Sequence, residues 1–210
     1  MTSIDDRYPQ RLDALHRRCA GGGLVASPSG HVLGSPGAVS WAPGPPSLAR
    51  LGLACASVPA GADGSQVAAP GSAAAAAFAD GLVELHADVL RQGLDHAMTH
   101  LEARSAQGTT LLAKQKVQCT IADIAMELRE CEALRRDAGA PDGEGTRRRW
   151  QATQRLTVAG RSLLRLLGAA GFLADGTGGE VHMAEIAGNV YLHPGTHSGA
   201  ERHDDHDENR

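Results

Sequence analysis

From residue 73 onward the apolar residues recur at helical spacing in four successive segments, and stripes of that kind bury only against one another. Helix one, about 73–103, sets Leu82, Leu85, Val89, Leu90, Leu94, Ala97, Met98 and Leu101 on one face. Helix two, about 110–137, repeats Val117, Ile121, Ile124, Leu128 and Cys131 at alternating four and three spacings, which is a packing seam. Helix three, about 146–173, follows a Gly-Ala-Pro-Asp-Gly break and turns Leu156, Ala159, Leu163, Leu167 and Ala170 inward. Helix four, about 180–192, buries Met183, Ile186 and Val190 and stops at Pro194. Short connections favour antiparallel neighbours, so the expected fold is mainly α, with an antiparallel four-helix bundle over residues 73–196.

The chain before this point has another character. Residues 20–72 are rich in Gly, Ala, Ser and Pro, with short apolar runs at 23–26, 31–33, 38–41, 51–58 and 66–69. Runs bounded by turn formers read as short strands or as a linker, so residues 1–72 are expected to be irregular or strand-containing. The last segment, 197–210, is an acidic tail with interspersed histidines, expected to be disordered.

Composition removes several function classes. Only six aromatics are present (Tyr8, Trp41, Phe78, Trp150, Phe172, Tyr191), too few to stack single-stranded nucleic acid or to build an all-β domain. The net charge of −4 sits mostly in the tail, so the body lacks the cationic field that binds a phosphate backbone, and no nucleic-acid partner is expected. Residues 1–12 are polar and no window approaches a membrane span, so a cytoplasmic protein without membrane contact is expected. Cys19, Cys55, Cys119 and Cys131 form no CxxC pair, and buried free thiols are expected. The predominance of arginine over lysine, with the high Ala and Gly content, reads as the mark of a GC-rich bacterial genome.

Nucleotide-loop and serine-hydrolase motifs are missing; the nearest to the latter, Gly195-Thr-His-Ser-Gly199, has its serine one place late. His193, His197, His203 and His206 have metal-like spacing among Asp204, Asp205 and Asp207, but nothing in a polar tail fixes ligand geometry, and no metal is expected. His86, His96 and His100 on helix one read as core or edge histidines. Arg147, Arg148 and Arg149, with Arg155, Arg161 and Arg165, could form an anion-binding stripe; a solvated helix face paired with Glu127, Glu130 and Glu132 is the favoured reading.

The helices carry more than periodicity. The stretch His86-Ala-Asp-Val-Leu-Arg-Gln-Gly-Leu-Asp-His-Ala-Met-Thr-His-Leu-Glu-Ala-Arg104, then Gly108, Leu111, Gln115, Val117, Gln118 and Ile121-Ala-Asp-Ile124, resembles the C-terminal helical domain of acyl-CoA dehydrogenases. Leu166-Leu-Gly-Ala-Ala-Gly-Phe172 and Val190-Tyr-Leu-His-Pro-Gly-Thr196 extend the resemblance to a little over half the chain. It implies a bundle of that type, a shrunken remnant of a middle β domain before it, association into dimers or tetramers through the bundle, and FAD held partly by a neighbouring subunit. Arg104, Gln115, Gly168 and Gly171 match the family's cofactor positions, while Gln107, Arg165 and Ala169 depart from them.

The resemblance also shows what has gone. Pro194 stands where many members carry the catalytic glutamate, and other members place it near the start of helix one, close to Asp80 and Glu84. The expectation is therefore a chain that has lost flavin-dependent dehydrogenation and holds no cofactor, with FAD as the alternative. It would act as a cofactor-independent cyclase, isomerase or eliminating enzyme on an acyl or polyketide-like small molecule in bacterial specialised metabolism, with Glu84, His193 and Asp80 as acid–base candidates. The other expectation is a non-catalytic partner subunit that docks onto a full-length dehydrogenase-like chain and donates Arg104 and Gln115 to its flavin.

Overall fold

The computed structural model describes residues 7–39, 45–58, 67–136 and 143–194. The acidic tail, with His197, His203 and His206, lies outside the described residues, as do Trp41 and the Gly195-Thr196 pair. The chain is mainly helical: α1 (Tyr8–Cys19), a single turn α2 (Pro46–Ala49), α3 (Ala73–Glu102), α4 (Gln115–Arg136), α5 (Gly143–Leu167) and α6 (Thr177–Leu192). Short strands β1 (Leu24–Val25) and β4 (Val67–Ala68) pair in parallel, and β2 (His31–Gly34) pairs antiparallel with β3 (Ala54–Ser57).

The helices begin and end for local reasons. The Ser72 hydroxyl accepts the Ala75 N–H at 3.1 Å and caps α3. Where helix two was expected to begin, β5 (Ser105–Ala106) and β6 (Thr109–Thr110) form a hairpin first, so α4 starts later, at Gln115. Its two-residue turn needs positive φ at both positions, met by Gln107 (φ 56°) and Gly108 (φ 77°). Gly168 (φ 57°) ends α5 and starts a 3-10 turn over Gly168–Phe172.

Side-chain pairs set the packing. Asp80 binds Arg149 near the starts of α3 and α5, so these two run parallel. Phe78 meets Tyr191 at one end of α3 and His96 meets Thr177 at the other, so α6 runs against it. Arg155 with Glu127, and the Cys131 thiol donating to the Ala152 carbonyl, set α4 against α5. Glu84 and Arg135 link α3 to the end of α4. Four helices thus alternate in direction around one core that includes Leu90, Leu156, Leu163 and Ala187.

Residues 1–72, read from sequence as irregular, contribute a helix to that core. Tyr8, Leu12, Leu15 and His16 lie on one face of α1 and are buried, although Arg11, Arg17 and Arg18 make the helix polar overall. Gly81 of α3 gives α1 its close approach, since a Cβ there would strike Leu15. His16 ties the layers together. Its Nδ1 accepts the Val25 N–H at 3.0 Å, so Nε2 carries the proton and donates to the Leu33 carbonyl at 2.8 Å. Its ring stacks on Phe78, and the Tyr191 hydroxyl accepts the Leu33 N–H at 2.8 Å. Removing that hydroxyl in Tyr191→Phe orphans a buried N–H and should cost about 1–3 kcal/mol in urea unfolding; an unchanged midpoint would exclude this hub as a tie.

Candidate functional site

The helical frame has two ends, and the candidate residues divide between them. At one end, the starts of α3 and α5 meet the ends of α4 and α6. Asp80 is half-buried and held in a two-point ion pair, with Arg149 Nε donating to Oδ1 at 2.6 Å and Nη2 to Oδ2 at 3.1 Å. Glu84 is exposed on the next turn and lies 3.6 Å from Arg135. His193, just past α6, is exposed and rests edge-on against Trp150, with ring centroids 4.8 Å apart.

Asp80 and His193 are thus joined through the consecutive Arg149 and Trp150, while Glu84 faces α4. A polar cleft of about 340 Å³ lies between α3 and α4, lined by Glu84, Arg91, Cys131, Glu132 and Arg135, and it includes neither Asp80 nor His193. Burial pushes the Cys131 thiol up to about 11, so it is a protonated donor, not a nucleophile. All four cysteines are free; Cys131 alone is buried, Cys19 and Cys55 are half-buried, and Cys119 is exposed on α4, against the expectation of four buried thiols.

At the other end, the end of α3 and start of α4 lie with the end of α5 and start of α6. Arg104 and Gln115 are both exposed there, on either side of the β5–β6 hairpin, which the Leu111 N–H extends by donating to the Arg104 carbonyl at 2.7 Å. The Arg104 guanidinium approaches His100 Nε2 at 3.4 Å. At this same end Phe172 is 83 % exposed and Leu173 59 % exposed. Sequence reading used Phe172 only as part of a motif and gave no sign that it would face outward.

The glycines matched to the cofactor motif have roles in the chain's own packing. A Cβ at Gly171 would meet the Leu164 carbonyl at 2.8 Å and Leu167 Cβ at 3.3 Å, so its bare backbone face is already covered. Gly168 has open space and is required by its φ. The side of Gly171 on which a Cβ would stand is thus filled by α5 itself. Along α3, Asp80 lies roughly 33 Å from Glu102, the last residue before the Arg104 end.

The arginine stripe is largely neutralised: Arg148 pairs with Glu144, Arg149 with Asp80, Arg161 with Glu185, and Arg155 with both Glu127 and Glu130. His86 is 2 % exposed, neither ring nitrogen has a hydrogen-bond partner among the described residues, and burial lowers its pKa to about 4. His96 shares a hydrogen bond with Thr177. Among the described residues, no three His, Cys, Asp or Glu side chains converge as metal ligands, and no helix is long and apolar enough to cross a membrane. No family model, curated protein or solved structure significantly matches this chain.

Proposed function

We propose that this chain is a cytoplasmic helical subunit of acyl-CoA dehydrogenase type, with a four-helix bundle like that family's C-terminal domain, and that it works by association and not by catalysis. The carrying observation is that the acid–base candidates and the cofactor candidates occupy opposite ends of α3. Residues so far apart do not serve one reaction centre in one chain. Arg104 and Gln115, exposed at one end together with Phe172 and Leu173, are placed to act on a neighbour: the apolar pair docks, the guanidinium pairs with phosphate oxygens, and the amide hydrogen-bonds. The neighbour would be a full-length dehydrogenase-like chain that holds the FAD and the acyl substrate. FAD, when bound there, supplies the hydride acceptor; this chain's residues bind and orient.

Co-expression with a full-length acyl-CoA dehydrogenase-like chain of the same source tests this. The two should co-purify, Phe172→Asp should break the complex, and Arg104→Ala with Gln115→Ala should lower flavin retention while the complex persists. A complex whose flavin content ignores both substitutions would count against the reading. A second reading, the cofactor-independent enzyme, rests on the cleft that Glu84 lines. It requires turnover of an acyl or polyketide-like substrate by the chain alone that falls in Glu84→Gln.

A further inference from the structure

We propose that His96 and His100, near the end of α3, form a two-histidine site for a first-row transition-metal dication of the zinc type, with water completing its shell. The proposal is independent of the association above, because it needs neither a partner chain nor a flavin.

The helix places the pair. Residues four apart lie one above the other on a helix face, and the two imidazoles meet edge to face with ring centroids 6.4 Å apart. Two imidazoles that share one zinc ion, at about 2.0–2.1 Å from each nitrogen, have centroids roughly 5 Å apart. His96 is exposed and His100 half-buried, so side-chain rotation closes that difference and no backbone has to move.

The neighbours aim the ring nitrogens. The Arg104 guanidinium can only donate and lies 3.4 Å from His100 Nε2, so this nitrogen carries the lone pair. On His96 it is Nδ1 that is engaged, by the Thr177 hydroxyl at 3.2 Å. An ion on His96 Nε2 leaves Nδ1–H to donate to Thr177 Oγ1, and a partner of that kind fixes the tautomer and orientation of a ligating histidine. Thr177 is held in turn: it opens α6, and its methyl sits so near α3 that a Cβ on Gly93 would come within 2.8 Å of it. The hydrogen bond joins positions 81 apart, so spacing along the chain gives no sign of it.

The field and the donors suit such an ion. His100 is in the last turn of α3, a 30-residue helix whose terminal carbonyls carry partial negative charge and favour a cation. No third His, Cys, Asp or Glu converges here among the described residues, so the donor set is imidazole and water. That set selects zinc, copper or nickel over magnesium or calcium, and it leaves positions open for exchange. Arg104 is the competitor. Its guanidinium holds the lone pair that the ion needs, and it has to swing out as the ion enters.

Calorimetric titration of the full chain with zinc near neutral pH tests this, with magnesium as the control ion and circular dichroism as the check on folding. His197→Ser, His203→Ser and His206→Ser are present in every chain compared, so that the tail adds no sites. Zinc should bind and magnesium should not. His96→Ala and His100→Ala should each weaken zinc binding by about tenfold or more, and Thr177→Val, which removes only the hydroxyl, by about tenfold. Arg104→Ala should strengthen it severalfold, a gain that loss of a merely structural residue does not give. Zinc should also raise the melting temperature of the chain and leave that of His96→Ala unchanged. Zinc affinity indifferent to both histidine substitutions overturns the proposal and leaves an adventitious ion only. So does equal binding of magnesium, or weaker binding in Arg104→Ala. None of these readouts depends on a flavin-bearing partner.

Discussion

Acidification from pH 7 to pH 4 should cost the fold on the order of 6 kcal/mol, most of it through two histidines. His16 and His86 are both buried, and desolvation lowers each from 6.5 to about 4. In the unfolded chain both imidazoles take up a proton as the pH falls through about 6.5, while in the folded chain they resist until about 4. The unfolded state therefore binds more protons across that window. Stability is fully present above it and is lost as the pH falls, by roughly 3 kcal/mol for each histidine.

Typical domains hold only about 5–15 kcal/mol, so the chain should be close to unfolding at the lower limit. Urea unfolding at stepped pH reads this directly. His86→Leu should remove about half of the slope and leave the neutral-pH stability equal or higher, because the imidazole it replaces has no partner among the described residues. A wild-type profile that stays flat across the window would show that neither ring is buried in the neutral form.

Gly178→Ala and Gly179→Ala should each cost about 3 kcal/mol or more, lowering the melting temperature by roughly 10 °C. Neither glycine is there for its φ. The 3-10 turn after α5 folds back so tightly over the start of α6 that a Cβ on Gly178 would coincide with the Gly171 carbonyl, and one on Gly179 with the Ala174 carbonyl. Backbone atoms cannot step aside as a side chain can. The same substitutions would shift the end that presents Phe172. Gly143→Ala is the control of opposite sign: its Cβ meets nothing within 4 Å, and alanine suits a helix better, so no loss is expected. Equal melting temperatures for the three variants would refute the close approach.

The helices from residue 73 were legible because their stripes are long and their ends are marked chemically. Ser72 starts α3 in the structure, and Pro194 follows α6 within two residues. The helix α1 was not identified, because Arg11, Asp13, Arg17 and Arg18 break up its apolar residues and mask them in a composition-based view. Tyr8, Leu12, Leu15 and His16 nevertheless recur at helical spacing, and reading for period instead of charge would have found them.

Mid-helix glycines were opaque for another reason. Gly93, Gly160 and Gly188 look locally unfavourable, yet each leaves room for a side chain of another helix: Leu163, Val181 and Thr153. The candidate sites suffered most. The pairing of Asp80 with Arg149 joins positions 69 apart, so spacing could not show that one acid–base candidate is already bound. Met126 and Val158, exposed in the structure, fall outside the stripes assigned to their helices.

The visible absorbance spectrum of the purified chain, taken alone and then in complex with a full-length dehydrogenase-like partner, tests the central claim most directly. A single copy keeps Arg104 and Gln115 far from Asp80 and Glu84 and fills the Gly171 face with its own backbone. The expected result is a colourless chain that gains flavin absorbance only in the complex, and less of it after Arg104→Ala. A chain that purifies alone with stoichiometric FAD would contradict the account and make it a self-sufficient flavoprotein.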